Sequence, residues 1–121
     1  MRFFTVYGPW GRPDMAPMLF ADAAINNREI SVFNNGNQKR DFTYIDDIVQ
    51  GIIKLLGKPP LEVKPHHKVF NIGNNNPEKL MVFITTLEQC LSKSLNRKVE
   101  FKKVFESIKP GDVHKTYAST D

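Results

Sequence analysis

Leu80, Phe83, Ile84, Leu87 and Leu91 recur at three- and four-residue intervals, the spacing that aligns one apolar face of an α-helix. A helix with such a face is stable only when another element covers it. Lys68 to Ile72 before it and Val99 to Val104 after it are rich in β-branched and aromatic residues and read as strands. Asn76 is expected to cap the helix, with Pro77 at its first position. The same alternation fills the rest of the 121 residues. Residues 2 to 6 read as a strand running into a Gly8-Pro9 loop, and Asp14 is expected to cap a helix through about Asn27. Ile30 to Phe33 is a short strand, and Asn34-Asn35-Gly36-Asn37 a turn whose residues tolerate positive φ. Lys39 to Ile45 is extended. Asp46 is expected to cap a helix that ends near Gly57, with Ile48, Ile52, Leu55 and Leu56 on one stripe. Residues 57 to 67 hold three prolines and two histidines and form a loop, and Lys109-Pro110-Gly111-Asp112 is a turn. The alternation predicts an α/β fold with one core, because a chain this short is one domain.

Charge and cysteine content narrow the function classes. Seventeen basic residues against thirteen acidic ones give +4, which suits an anionic partner. The basic residues are scattered, with no run of five, which argues against nucleic acid. A small phosphate-bearing ligand needs only two or three placed cations. The single cysteine, Cys90, cannot close an intramolecular disulfide and points to the cytoplasm. The short apolar run before Gly8-Pro9 fits neither a signal peptide nor a membrane span.

Several chemistries lack their residues. A nicotinamide-binding Rossmann turn needs closely spaced glycines; only Gly8 and Gly11 have such spacing, and Asp14 stands where the third would be. A phosphate-binding loop would need glycine at Ile52. No tyrosine has a lysine four residues later: Gly11, Ile48 and Asp121 follow Tyr7, Tyr44 and Tyr117. His66, His67, His114 and Cys90 lack metal-ligand spacing, and Cys90 beside Leu91 reads as a packed thiol.

Three clusters remain: RFFTVYGPWGRPDM from Arg2 to Met15, KRDFTYIDD from Lys39 to Asp47, and Lys109-Pro110-Gly111-Asp112. With Val69 to Gly73, they resemble, in order, the C-terminal part of the extended short-chain dehydrogenase/reductase family, the NAD-dependent epimerases and dehydratases of nucleotide sugars. Within it they look most like UDP-glucuronate 4-epimerases. The resemblance implies a partial fold: the smaller, nucleotide-sugar-binding α/β portion, a single domain over residues 1 to 121 truncated at both ends. The N-terminal Rossmann domain that holds NAD and the catalytic Tyr-x-x-x-Lys pair lie outside it, as does a closing helix expected after Thr120. Such a piece is expected to be inactive alone and to self-associate through exposed sheet edges.

Position by position, the resemblance makes Arg40 the diphosphate arginine, a role for which a guanidinium fork is suited. Lys109 stands where many relatives carry a second phosphate arginine, and Asp112 matches the acceptor of the ribose hydroxyls. Phe33 matches the residue packed on the uracil, with the backbone of Val32 and Phe33 at its edge, although an aromatic in a strand equally serves a core. Thr5 and Arg12 would contact the sugar carboxylate of UDP-glucuronate or UDP-galacturonate, where the cation opposes loss of CO₂. Phe3 and Val6 would lie near the nicotinamide. A stand-alone UDP-sugar-binding module or subunit without catalysis is the alternative reading.

Overall fold

The computed structural model describes residues 1–62 and 64–119; Val63, Thr120 and Asp121 lie outside the described residues. Seven short strands and three helices alternate along the chain: β1 (Arg2–Phe3), β2 (Thr5–Tyr7), α1 (Ala16–Ile25), β3 (Ile30–Val32), β4 (Lys39–Tyr44), α2 (Ile45–Leu56), β5 (Asn71–Ile72), β6 (Pro77–Lys79), α3 (Leu80–Ser94) and β7 (Lys103–Phe105). The strands form three small sheets. β1 runs parallel to β5, and β3 parallel to β7 in the register Ile30↔Lys103 to Val32↔Phe105. The third sheet places β4 between parallel β2 and antiparallel β6. Mixed α/β architecture is therefore present as expected.

The apolar face of α3 organises the core. Leu80 and Ile84 are buried, and Met81, Phe83, Leu87 and Leu91 pack against Phe20, Ala23 and Ala24 of α1, Ile30 and Val32 of β3, and Val99 and Phe101. The rings of Phe42 and Phe83 stack at 4.5 Å and tie β4 to this core. Away from the core, α2 buries only Ile48; Val49, Ile53 and Leu56 remain exposed.

Several element starts differ from expectation, because backbone pairing or a side-chain ion pair outweighs local capping. Pro77 does not open α3. It begins the edge strand β6, paired Asp41↔Pro77 and Arg40↔Glu78, where its fixed φ fits and its missing N–H costs nothing. The helix starts three residues later, where Leu80 N–H donates to Gln38 O at 2.9 Å. Met15, not Asp14, precedes α1, with Pro17 in the first turn; Asp14 is held by Arg12 instead. Tyr44 is the residue before α2, and Asp46 and Asp47 lie in its first turn, where carboxylates favour the helix dipole. Residues 2 to 7 form two strands that break at Phe4, because β1 pairs with β5 and β2 with β4. The Asn34-Asn35 turn has positive φ at both residues, as expected.

A buried carboxylate fixes the centre of the third sheet. Asp41 is fully buried on β4 and accepts N–H bonds from Asn74 (3.0 Å), Asn75 (2.9 Å) and Ala118 (2.9 Å). Thr43 Oγ1 accepts a second bond from Asn74 N–H at 3.0 Å. The chain passes so closely here that a Cβ on Gly73 would lie 2.6 Å from Ala118 Cβ.

Candidate functional site

A cleft of about 560 Å³ opens where β3, β4 and the turn after β7 approach one another. Its floor is apolar, with Phe20, Phe42 and Leu80. Its rim carries charge. A strand points alternate side chains to opposite faces, so Arg40 lines the cleft while its neighbour Asp41 is buried.

Arg40 is held from three directions. Its Nη1 donates to Val113 O at 2.8 Å and Lys39 O at 3.0 Å, and its Nη2 donates to Asp112 Oδ1 at 2.8 Å. The side chain retains 18% of its exposure. A guanidinium has five N–H donors, so the Nε hydrogen and one Nη2 hydrogen stay available among the described residues. Asp112 N–H closes the 109–112 turn on Lys109 O at 3.1 Å, with Gly111 at φ 83°. Lys109 extends its ammonium over the Phe33 ring, 4.2 Å from the centroid. Phe33 is half-buried in the cleft wall, not in the core.

The structure therefore brings Thr5, Phe33, Arg40 and Lys109 to one cleft, with Asp112 tied to its rim by Arg40. Val32 contributes differently. Its side chain is fully buried in the core, and its carbonyl accepts Glu106 N–H at 2.9 Å. Arg12 is separate. It lies exposed beside a second, minute cleft with Val6 and Met15, and binds Asp14 through Nε at 3.0 Å and Nη2 at 2.5 Å. The hydrogen bond from Arg12 holds the Asp14 carboxyl below its ordinary pKa, and the same bond raises the guanidinium's.

Two cleft residues escaped the sequence reading. Arg28 lines the cleft and forms an ion pair with Asp22; nothing in its helix-end position signals this. Gln38 is buried at 7% exposure and donates to Asp112 Oδ2. It belongs to no motif, and only its place two residues before Arg40 hints at a shared face.

A flat aromatic ring with a cation over it, a half-buried guanidinium with spare donors and a nearby carboxylate suit a ligand that joins a ring to an anionic group. Residues 1–73 match the model of the family described as NAD dependent epimerase/dehydratase. The chain belongs to that family. The epimerase/dehydratase chain is also 46% identical over 134 residues to Protein CapI of Staphylococcus aureus, and 40% identical over 134 residues to a probable UDP-glucuronate 4-epimerase of Rhizobium meliloti. It spans 38% of the length of each. A crystal structure of UDP-glucuronic acid 4-epimerase from Bacillus cereus, in complex with UDP-glucuronic acid and NAD, overlays with a TM-score of 0.76 at 33% identity. That overlay covers 98% of this chain and 35% of the other, in agreement with a partial extended short-chain dehydrogenase/reductase fold.

Phe3 and Val6, the residues expected near a nicotinamide, lie apart from the large cleft in this epimerase/dehydratase chain. The cleft beside Val6 is about 10 Å³, the volume of one water, and Phe3 lies on β1, 47% exposed. No hydride step is assigned to these residues. Among the described residues no helix is long and apolar enough to cross a membrane.

Proposed function

We propose that this chain is the nucleotide-sugar-binding portion of a UDP-glucuronate 4-epimerase-like enzyme. It forms one domain that holds the UDP part of UDP-glucuronate or UDP-galacturonate, while NAD and the catalytic Tyr-x-x-x-Lys pair belong to a portion outside this sequence. The observation that carries the reading is the cleft that gathers Arg40, Lys109 and Phe33. The two spare donors of Arg40 face the diphosphate with charge-assisted bonds. Lys109 leaves the Phe33 ring when uracil stacks there and follows the phosphates. Asp112 accepts a ribose hydroxyl, and Thr5 lies on the sugar side. Arg12 exchanges Asp14 for the sugar carboxylate, a swap favoured by the weakness of fully exposed ion pairs.

Isothermal titration of the 121-residue chain with UDP-glucuronate tests this. Binding is expected, weakened about tenfold or more in Arg40→Ala and less in Lys109→Ala, since a bond to a charged group contributes about 1.5–3 kcal/mol. Arg12→Ala is expected to lose the preference for UDP-glucuronate over UDP-glucose. Absence of binding at millimolar ligand would overturn the reading. The alternative, a stand-alone UDP-sugar-binding module without catalysis, predicts the same titration. The two readings part on whether NAD-dependent epimerisation appears when the remaining portion of such an enzyme is supplied. Exposed Val49, Ile53 and Leu56 on α2 support self-association with a second copy, read as a sedimentation coefficient that rises with concentration.

A further inference from the structure

Asp112 has a lopsided set of partners. Its Oδ1 accepts two bonds, from Arg40 Nη2 at 2.8 Å and from Val113 N–H at 2.9 Å. Its Oδ2 accepts one, from Gln38 Nε2 at 2.5 Å. A carboxylate offers about two acceptor positions on each oxygen, so among the described residues Oδ1 is filled and Oδ2 keeps one position open. The amide that holds Oδ2 is rigidly placed. Gln38 is 7% exposed and lines the cleft, and its carbonyl accepts Leu80 N–H at 2.9 Å from the first residue of α3. The next residue is fastened as well, with Lys39 N–H on His114 O at 2.9 Å and Thr116 N–H on Lys39 O at 3.2 Å. Gln38 thus reaches Asp112 from a segment pinned to both α3 and the tail.

We infer that Gln38 is a positioning residue and a determinant of sugar specificity: by holding Asp112 Oδ2 it aims the one open acceptor of that carboxylate at a ribose hydroxyl of the nucleotide, so that the cleft selects ribonucleotides over 2′-deoxyribonucleotides. This rests on the reading of Asp112 as the ribose partner. Arg40 alone does not achieve the aim, because it grips the other oxygen and leaves the carboxylate free to pivot about that bond. Asp112 keeps 28% of its side-chain exposure, and a partly buried acceptor aimed at a hydroxyl discriminates against a ligand that lacks one, since water meets it less well than the hydroxyl does.

The test compares UDP with 2′-deoxy-UDP as titrants of the wild-type chain and of Gln38→Met, which keeps the side-chain length and removes the donor. Gln38→Leu, which removes the donor without adding charge, carries the same test where the first variant does not fold. The wild type is expected to prefer UDP about tenfold, the equivalent of one hydrogen bond of about 1.4 kcal/mol. The variants are expected to bind 2′-deoxy-UDP as the wild type does and to lose the preference, with the ratio falling toward one. Unchanged 2′-deoxy-UDP affinity separates lost positioning from lost folding. A preference kept in a folded variant, or absent from a wild type that binds both nucleotides, would overturn the role of Gln38 and leave the nucleotide cleft standing. A wild type that binds neither would overturn the cleft reading and this inference with it.

Discussion

Asp41 stands in the interior beside Arg40, whose guanidinium faces the cleft. Its carboxylate meets three backbone N–H groups from two segments distant in sequence. Removing it strands those donors, each worth about 1–3 kcal/mol where water cannot replace the acceptor. Asp41→Ala is therefore expected to lower stability by about 2–4 kcal/mol, read from the urea midpoint at constant slope. A loss under about 0.5 kcal/mol would show that the three bonds are replaced by water. The sequence showed an arginine beside an aspartate without showing which of them faces inward. Strand alternation separates them, and a charged residue on the inner face is legible only once its partners, Asn74, Asn75 and Ala118, are known to converge there.

At the scale of elements, α3 was the most legible part, because its five apolar residues map directly onto the buried face. Its start was not, because Pro77 is equally suited to a helix N-terminus and an edge strand, and only the pairing with β4 decides between them. The flank of the buried face of α3 holds a second interaction that the sequence hides. Glu88 Oε1 accepts Lys103 Nζ at 2.7 Å and Phe101 N–H at 2.8 Å, joining α3 to the segment that enters β7. Burial pushes the Glu88 carboxyl up, but these two bonds outweigh it and hold its pKa below the ordinary glutamate value of 4.5. A depressed folded pKa gives stability that is present above the unfolded value and lost as pH falls through the folded one. Thermal melts of wild type and Glu88→Gln are expected to differ at neutral pH, with the wild type more stable, and to converge as the pH drops below 4.5. A difference constant across that window would remove the ion pair as its source.

The whole molecule is three short sheets around one helix-lined core, with apolar side chains left exposed on α2. Its likeness to nucleotide-sugar epimerases was readable from three motifs, and the overlay on 98% of the chain follows the same order. The site was legible in part. Of the residues that the resemblance singles out, Thr5, Phe33, Arg40 and Lys109 line one cleft, whereas Arg12 is paired with Asp14 outside it and Gln38 carried no motif. Contacts across 72 residues, such as Arg40 with Asp112, depend on how β4 and the 109–112 turn are brought together, and no local pattern encodes that. The central claim is that this cleft receives the nucleotide. Nuclear magnetic resonance of the ¹⁵N-labelled chain titrated with UDP-glucuronate tests it most directly. Amide shifts are expected to cluster at Thr5, Ser31 to Phe33, Gln38 to Arg40 and Lys109 to Val113. Shifts centred instead on the open surface around Thr85, Ser92 and Glu100, or no shifts at saturating ligand, would contradict it.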